Sequence, residues 1–197
     1  ALAHHQLGQW LEAENAINRS LEILNKQKYS TTQGSRIYGQ VLNTQGSLHL
    51  AQGNTAKALE SWEQATEEYT QAKFFEGRIK SLINQTHALR RLGFLRESRH
   101  RLLQIEMLLE KQTDISLKIA LTRSLGENQR LMGELKASRT SLLKSLELAK
   151  MAPGKQDLAA IQLSLGNTLQ VSARQQEALA RRTQNAIDKQ KSARLYQ

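Results

Sequence analysis

The sequence predicts an all-α fold, a right-handed α-solenoid of antiparallel helix hairpins. A Gly-centred pattern returns about every forty residues, apolar residues flank each Gly at helical spacing, and the chain has one Pro, Pro153, and no Cys. Fixed periods of this size mark stacked supersecondary repeats. The pattern is a Gly, an apolar or small residue two positions on, and a small residue three positions after that. Gly8 leads to Trp10 and Ala13, Gly53 to Thr55 and Ala58, Gly93 to Leu95 and Ser98, Gly133 to Leu135 and Ser138. Ala173, Gln175 and Ala178 occupy the same slots once more, and the anchors are spaced 45, 40, 40 and 40 residues apart.

Each anchor separates two segments of helical periodicity. Before Gly93, the residues Ile79, Leu82, Ile83, Thr86, Leu89 and Leu92 follow the i, i+3, i+4, i+7 rule of a helix with one apolar face. After it, Leu95, Leu102, Leu103, Ile105, Leu108 and Leu109 continue in the same way. The next unit repeats this with Ile119, Leu121, Leu125 and Leu131, then Leu135, Leu142, Leu143, Leu146 and Leu148. The last shows Leu158, Ile161, Leu165, Leu169 and Val171. Each unit is thus a helix, a tight turn and a second helix, with Gly supplying the left-handed conformation that ends the first.

Helices are expected near residues 1–7, 10–27, 36–52, 55–72, 75–92, 95–111, 114–132, 135–151, 155–172 and 175–195. The polar stretch 27–35, rich in turn formers, accounts for the one longer step, and Pro153-Gly154 marks a second break. Sustained strand alternation is missing. The units are 1–33 (partial), 34–73, 74–113, 114–153 and 154–197, forming a single array.

A second register supports the first. Gly46, Thr86, Gly126 and Gly166 recur at forty-residue steps in the first helices, opposite Ala58, Ser98, Ser138 and Ala178 in the second. Small side chains let two helix axes approach to the short end of the usual range. Trp10, Leu24, Trp62 and Tyr69 read as core or inter-repeat packing.

These positions resemble the tetratricopeptide repeat, whose pattern is an apolar-Gly pair in helix A, a turn Gly, an apolar residue two on, Ala, then a large apolar residue. Leu125-Gly126, Gly133, Leu135, Ser138 and Leu142 fill it in one unit; Gln45-Gly46, Gly53, Ala58, Trp62 and Ala65 fill most of it in another. The last unit departs from it, with Ala173 in the turn and Arg182 in the large apolar slot. The repeat is forty residues rather than the family's 34, so the array is similar to the long-repeat type found in bacterial multi-domain proteins that carry a CHAT protease domain. Because natural solenoids need polar capping repeats, the chain is expected to be a segment of a longer array.

Net charge is +10, carried unevenly: residues 1–72 sum to −2 and residues 73–197 to +12. Such a surplus favours an anionic partner. Without Cys there is no disulfide framework, thiolate zinc site or cysteine nucleophile. No apolar run approaches the ~18 residues of a membrane span. Gly-rich phosphate loops, GxSxG, HExxH and paired metal ligands are missing from the sequence; adjacent His4 and His5 diverge on a helix. The expectation is a non-catalytic chain without metal or cofactor.

The resemblance implies that the first helices line a concave groove. The face opposite the Leu-rich stripe carries Gln40, Asn43 and Ser47 in the second unit, and Lys80, Asn84, His87 and Arg91 in the third, with Arg90 at the edge. Arg123, Glu127 and Arg130 follow in the fourth, and Asn167 and Gln170 in the fifth. Spacings of three and four place each set on one face. By the resemblance, Ser47, Asn84, Glu127 and Asn167 fall near the polar positions that grip a ligand backbone.

The expected partner is a protein or peptide of acidic character, held in part by arginine forks. Two alternatives stand beside it. One is a regulatory segment of a CHAT-type protease. The other is nucleic-acid association through a cluster of Arg90, Arg91, Arg96, Arg99, His100 and Arg101, against which the scarcity of aromatics weighs.

Overall fold

The structure, a computed structural model, describes residues 9–26, 31–152 and 156–195. The helix expected at 1–7, the Gly8 turn, His4, His5 and the Pro153-Gly154 break lie outside the described residues. Eight helices run in chain order: α1 Trp10–Lys26, α2 Thr32–Ala51, α3 Thr55–Gln71, α4 Phe75–Arg91, α5 Leu95–Leu109, α6 Ile115–Leu131, α7 Leu135–Met151 and α8 Gln156–Leu195. No strand occurs among the described residues. Consecutive helices pack against each other throughout, giving an all-α, solenoid-like repeat.

The turns follow from one backbone device. Gly53, Gly93 and Gly133 have φ of 82°, 85° and 81°. At Gly93 the N–H reaches Arg90 O and the next N–H, on Phe94, reaches Leu89 O. That pair of bonds is a Schellman motif, which uses carbonyls the helix end would otherwise leave free. The same bonds recur at Gly53 and Gly133. They also recur at Lys73, between α3 and α4, where a side-chain-bearing residue holds φ 50°. Lys73 is tolerated there because Phe74, the next residue, packs edge-on against Tyr69 with ring centroids 5.5 Å apart and lies under the Arg36 guanidinium at 4.2 Å.

Small residues seat the second helices on the first. A methyl group on Gly46 would come within 2.6 Å of the Trp62 ring, and one on Gly126 within 2.5 Å of Leu142 Cγ. Trp62, buried in this notch, donates Nε1–H to Asn43 O at 3.1 Å. The hydroxyls of Ser98 and Ser138 donate to Thr86 O and Gly126 O, at 3.1 and 2.8 Å. Tyr69 is wedged between Gly39 of α2 and Gly77 of α4, and its burial pushes the phenol pKa up to about 12 against the opposing pull of Arg36. Trp62 and Tyr69 are therefore core residues as expected, whereas Trp10 lies on the surface, 42% exposed.

Two expectations about the elements are corrected. α2 begins at Thr32, inside the stretch read as a loop, because the Thr31 hydroxyl caps it by accepting the Gly34 N–H at 3.0 Å. The hairpin expected in the last unit does not form: α8 runs unbroken from Gln156 to Leu195. Ala173 lacks the freedom of Gly to turn left-handed and is itself a strong helix former. Gly166, expected opposite Ala178, accordingly faces open space.

The first helices form their own layer. α2 packs on α4, α4 on α6 and α6 on α8, while the second helices α3, α5 and α7 show no comparable packing on each other. An array with one layer drawn closer than the other curves toward it, so α2, α4, α6 and α8 form the inner wall.

Candidate functional site

The inner wall holds a polar relay that joins three repeats. Arg90 Nη2 on α4 donates to Glu127 Oε2 on α6 at 2.7 Å, and Ser164 Oγ on α8 donates to Glu127 Oε1 at 2.8 Å. Each partner lies thirty-seven residues further along the chain, so one repeat hands its polar group to the next. Both Glu127 oxygens are thereby engaged. The Arg90 side chain is only 5% exposed. Burial lowers its pKa, Arg123 and Arg130 push the same way, and the Glu127 carboxylate opposes them.

Around this relay positive charge is in surplus. Arg123 and Arg130 flank Glu127 on one face of α6, and Arg91 follows Arg90 at the end of α4. None of these three makes a hydrogen bond or ion pair among the described residues, and the buried Nε atoms of Arg123 and Arg130 have no acceptor. An unpaired buried donor costs about 1–3 kcal/mol. Two such donors are held beside a carboxylate whose oxygens are already in use.

His87 stands at the centre of this charge. The side chain is exposed at the surface of the wall, while its inner part is desolvated. Desolvation lowers its pKa to about 4; Arg90, Arg91 and Arg123 add to the lowering, and Glu127 counters it. At neutral pH the imidazole is uncharged and offers one donor and one acceptor.

Next to it, between α2 and α4, is a hollow of about 290 Å³ lined by Ser47, Leu50, Ala51, Trp62, Asn84, His87 and Arg91. Its floor is apolar and its rim is polar or cationic. Four residues that the sequence singles out, Ser47, Asn84, His87 and Arg91, thus meet in one depression, and its His87 lies within electrostatic reach of Arg123 and Glu127.

Other candidates are occupied elsewhere. Asn43 Oδ1 accepts from Ser81 Oγ at 3.2 Å and Asn84 Nδ2 at 3.1 Å, which locks α2 to α4. Lys80 is paired with Glu76 one turn away at 2.5 Å. Gln40, Asn167 and Gln170 are exposed and take no side-chain part in the network among the described residues. Periodicity puts Arg90 at the edge of the groove face, yet it is the buried centre of the relay. Ser164 was not anticipated at all; its only signal is that it stands thirty-seven residues beyond Glu127.

The second basic cluster is neutralised in part within the fold. Arg99 pairs with Glu134 at 2.5 Å, and Arg101 bridges Glu63 and Glu97 at 3.1 Å each while also donating to Gln85. His100 pairs with Gln104. Charges already matched by carboxylates release little energy on meeting a phosphate backbone.

A larger hollow of about 580 Å³ lies over α6 between α5 and α7, with Met107, Leu109, Leu121 and Leu148 in its walls. Glu106 and Glu110 balance Lys118 and Lys144 around it, so it has no preference for one sign of charge. Among the described residues no group of three or more His, Cys, Asp or Glu is arranged to hold a metal ion, and no helix is long and apolar enough to cross a membrane. No family model matches the chain, and no curated protein matches it.

Proposed function

We propose that this chain is a tetratricopeptide-like scaffold that binds an acidic segment of a partner protein along its layer of first helices. The observation that carries the reading is the set of three arginines, Arg91, Arg123 and Arg130, without partners among the described residues, beside a Glu127 whose two oxygens are both in use. Guanidinium forks match carboxylates in pairs. The adjoining hollow, floored by Leu50 and Trp62, takes an apolar side chain between the carboxylates. A wall already held by inter-repeat hydrogen bonds loses little entropy on binding.

The test uses a short fluorescein-labelled peptide of alternating glutamate and leucine, followed by anisotropy. The double variant Arg91→Glu/Arg123→Glu abolishes binding while circular dichroism shows unchanged helicity. Unchanged affinity in that variant sinks the groove assignment.

A further inference from the structure

We propose that the arginine cluster around Glu127 is a site for a phosphate monoester dianion, with Arg123 and Arg130 as its two forks. The proposal rests on the groove reading above and names the ligand that this part of the groove selects. The first argument is charge. Arg90 is paired with the Glu127 carboxylate, Arg123 and Arg130 act electrostatically on Arg90, and Arg91 and Arg123 act on the neighbouring His87. That carboxylate neutralises Arg90, and three unit charges are left without a counter-charge. One carboxylate from a ligand balances one of them, whereas a phosphate monoester carries roughly −1.5 to −2 at neutral pH.

The second argument is geometry. Arg123 and Arg130 lie seven residues apart on α6, two turns along one face, with Glu127 between them. Glu127 is held from both sides, by Arg90 at 2.7 Å and Ser164 at 2.8 Å, and does not swing to cap either arginine. The Nε of each flanking arginine is buried and lacks an acceptor. A tetrahedral group with three acceptor oxygens serves several N–H donors at once, while a planar carboxylate has two oxygens to give. The His87 ring beside them supplies a further donor.

Other cations near by are matched within the fold among the described residues. Arg99 and Arg101 are paired with carboxylates, and so is Lys80.

The experiment compares three labelled peptides that differ only at one central position of the glutamate–leucine sequence: phosphoserine, glutamate or serine. The phosphoserine form binds about tenfold more tightly than the glutamate form, reflecting the added charge and oxygen. Arg130→Lys, which keeps the charge and loses the fork, weakens both peptides and reduces the phosphoserine advantage to about twofold. Inorganic phosphate and glucose 6-phosphate are then titrated against the bound phosphopeptide. Displacement at low millimolar concentration identifies a small phosphoester as the source; retention identifies a protein-borne phosphate. Equal affinity for the phosphoserine and glutamate peptides overturns the phosphate site and leaves the groove reading intact. If neither peptide binds, both fail.

Discussion

Arg90 and Glu127 are joined at 2.7 Å across two repeats, with Arg90 almost wholly shielded from solvent. Each helix contributes one member, so the pair fixes how α4 sits on α6. Removing one partner strands a buried charge. Glu127→Ala leaves Arg90 facing Arg123 and Arg130 without a counter-charge, and urea denaturation is expected to show a loss of about 3 kcal/mol. Glu127 is partly exposed, which sets the value at the lower end of the range for buried pairs. Replacing both partners, as Arg90→Met/Glu127→Leu, recovers most of the loss. A loss below about 0.5 kcal/mol for the single variant, the size typical of surface pairs, would overturn this assignment.

Helix-A glycines divide into two kinds. Gly46 and Gly126 are notches filled by Trp62 and by Leu142 with the Ser138 carbonyl; Gly166 faces empty space. Gly46→Ala and Gly126→Ala are therefore expected to destabilise by about 1–3 kcal/mol through overpacking. Gly166→Ala stabilises by about 0.5–1 kcal/mol, since Ala is the better helix former and meets no neighbour. Thermal and urea unfolding of the three variants decide the matter by sign. Destabilisation by Gly166→Ala would show that a hairpin closes over it.

What the sequence made legible follows from the same residues. The forty-residue period is written in glycines whose roles are local, turning the chain at Gly53, Gly93 and Gly133 or making room at Gly46 and Gly126. Position alone reveals such residues. The failure at α8 was legible too: Ala173 replaces the turn Gly, and Arg182 stands in the slot that buries Leu142 one unit earlier. Together these two substitutions remove the turn and the reason for folding back, although the forty-residue spacing continues through them. Arg90 was not legible, because a helical wheel ranks residues by their own helix, and its partner is on the next. Likewise, periodicity gave no sign that Asn43 and Lys80 are already occupied, whereas Arg91, Arg123 and Arg130 are not.

Lys73 carries the Schellman turn between α3 and α4 in a left-handed conformation. That geometry costs a side-chain-bearing residue roughly 1–2 kcal/mol relative to Gly, offset in part by the greater entropy Gly loses on folding. Lys73→Gly is expected to raise stability by about 0.5–1 kcal/mol. Gly93→Ala, with open space around it but φ 85°, is expected to lower stability by about 1 kcal/mol. A chemical-denaturation midpoint that falls for Lys73→Gly would show that the lysine side chain contributes more than its backbone strain removes.

His87 makes stability depend on pH in a defined window. Its folded pKa of about 4 lies below the 6.5 of an unperturbed imidazole. Between those values the unfolded chain takes up a proton that the folded chain refuses, so protonation favours unfolding. Stability is therefore unaffected by His87 above pH 6.5, declines as pH falls toward 4, and changes no further through this residue below that. Solvent on the open side of the ring screens its neighbours and makes the decline smaller than the full shift implies. Urea midpoints measured from pH 7 to pH 4 are expected to fall more steeply for the native chain than for His87→Gln. An NMR titration of the ring resolves the cause directly. A midpoint near 6.5 would mean that the ring is neither desolvated nor crowded by Arg90, Arg91 and Arg123.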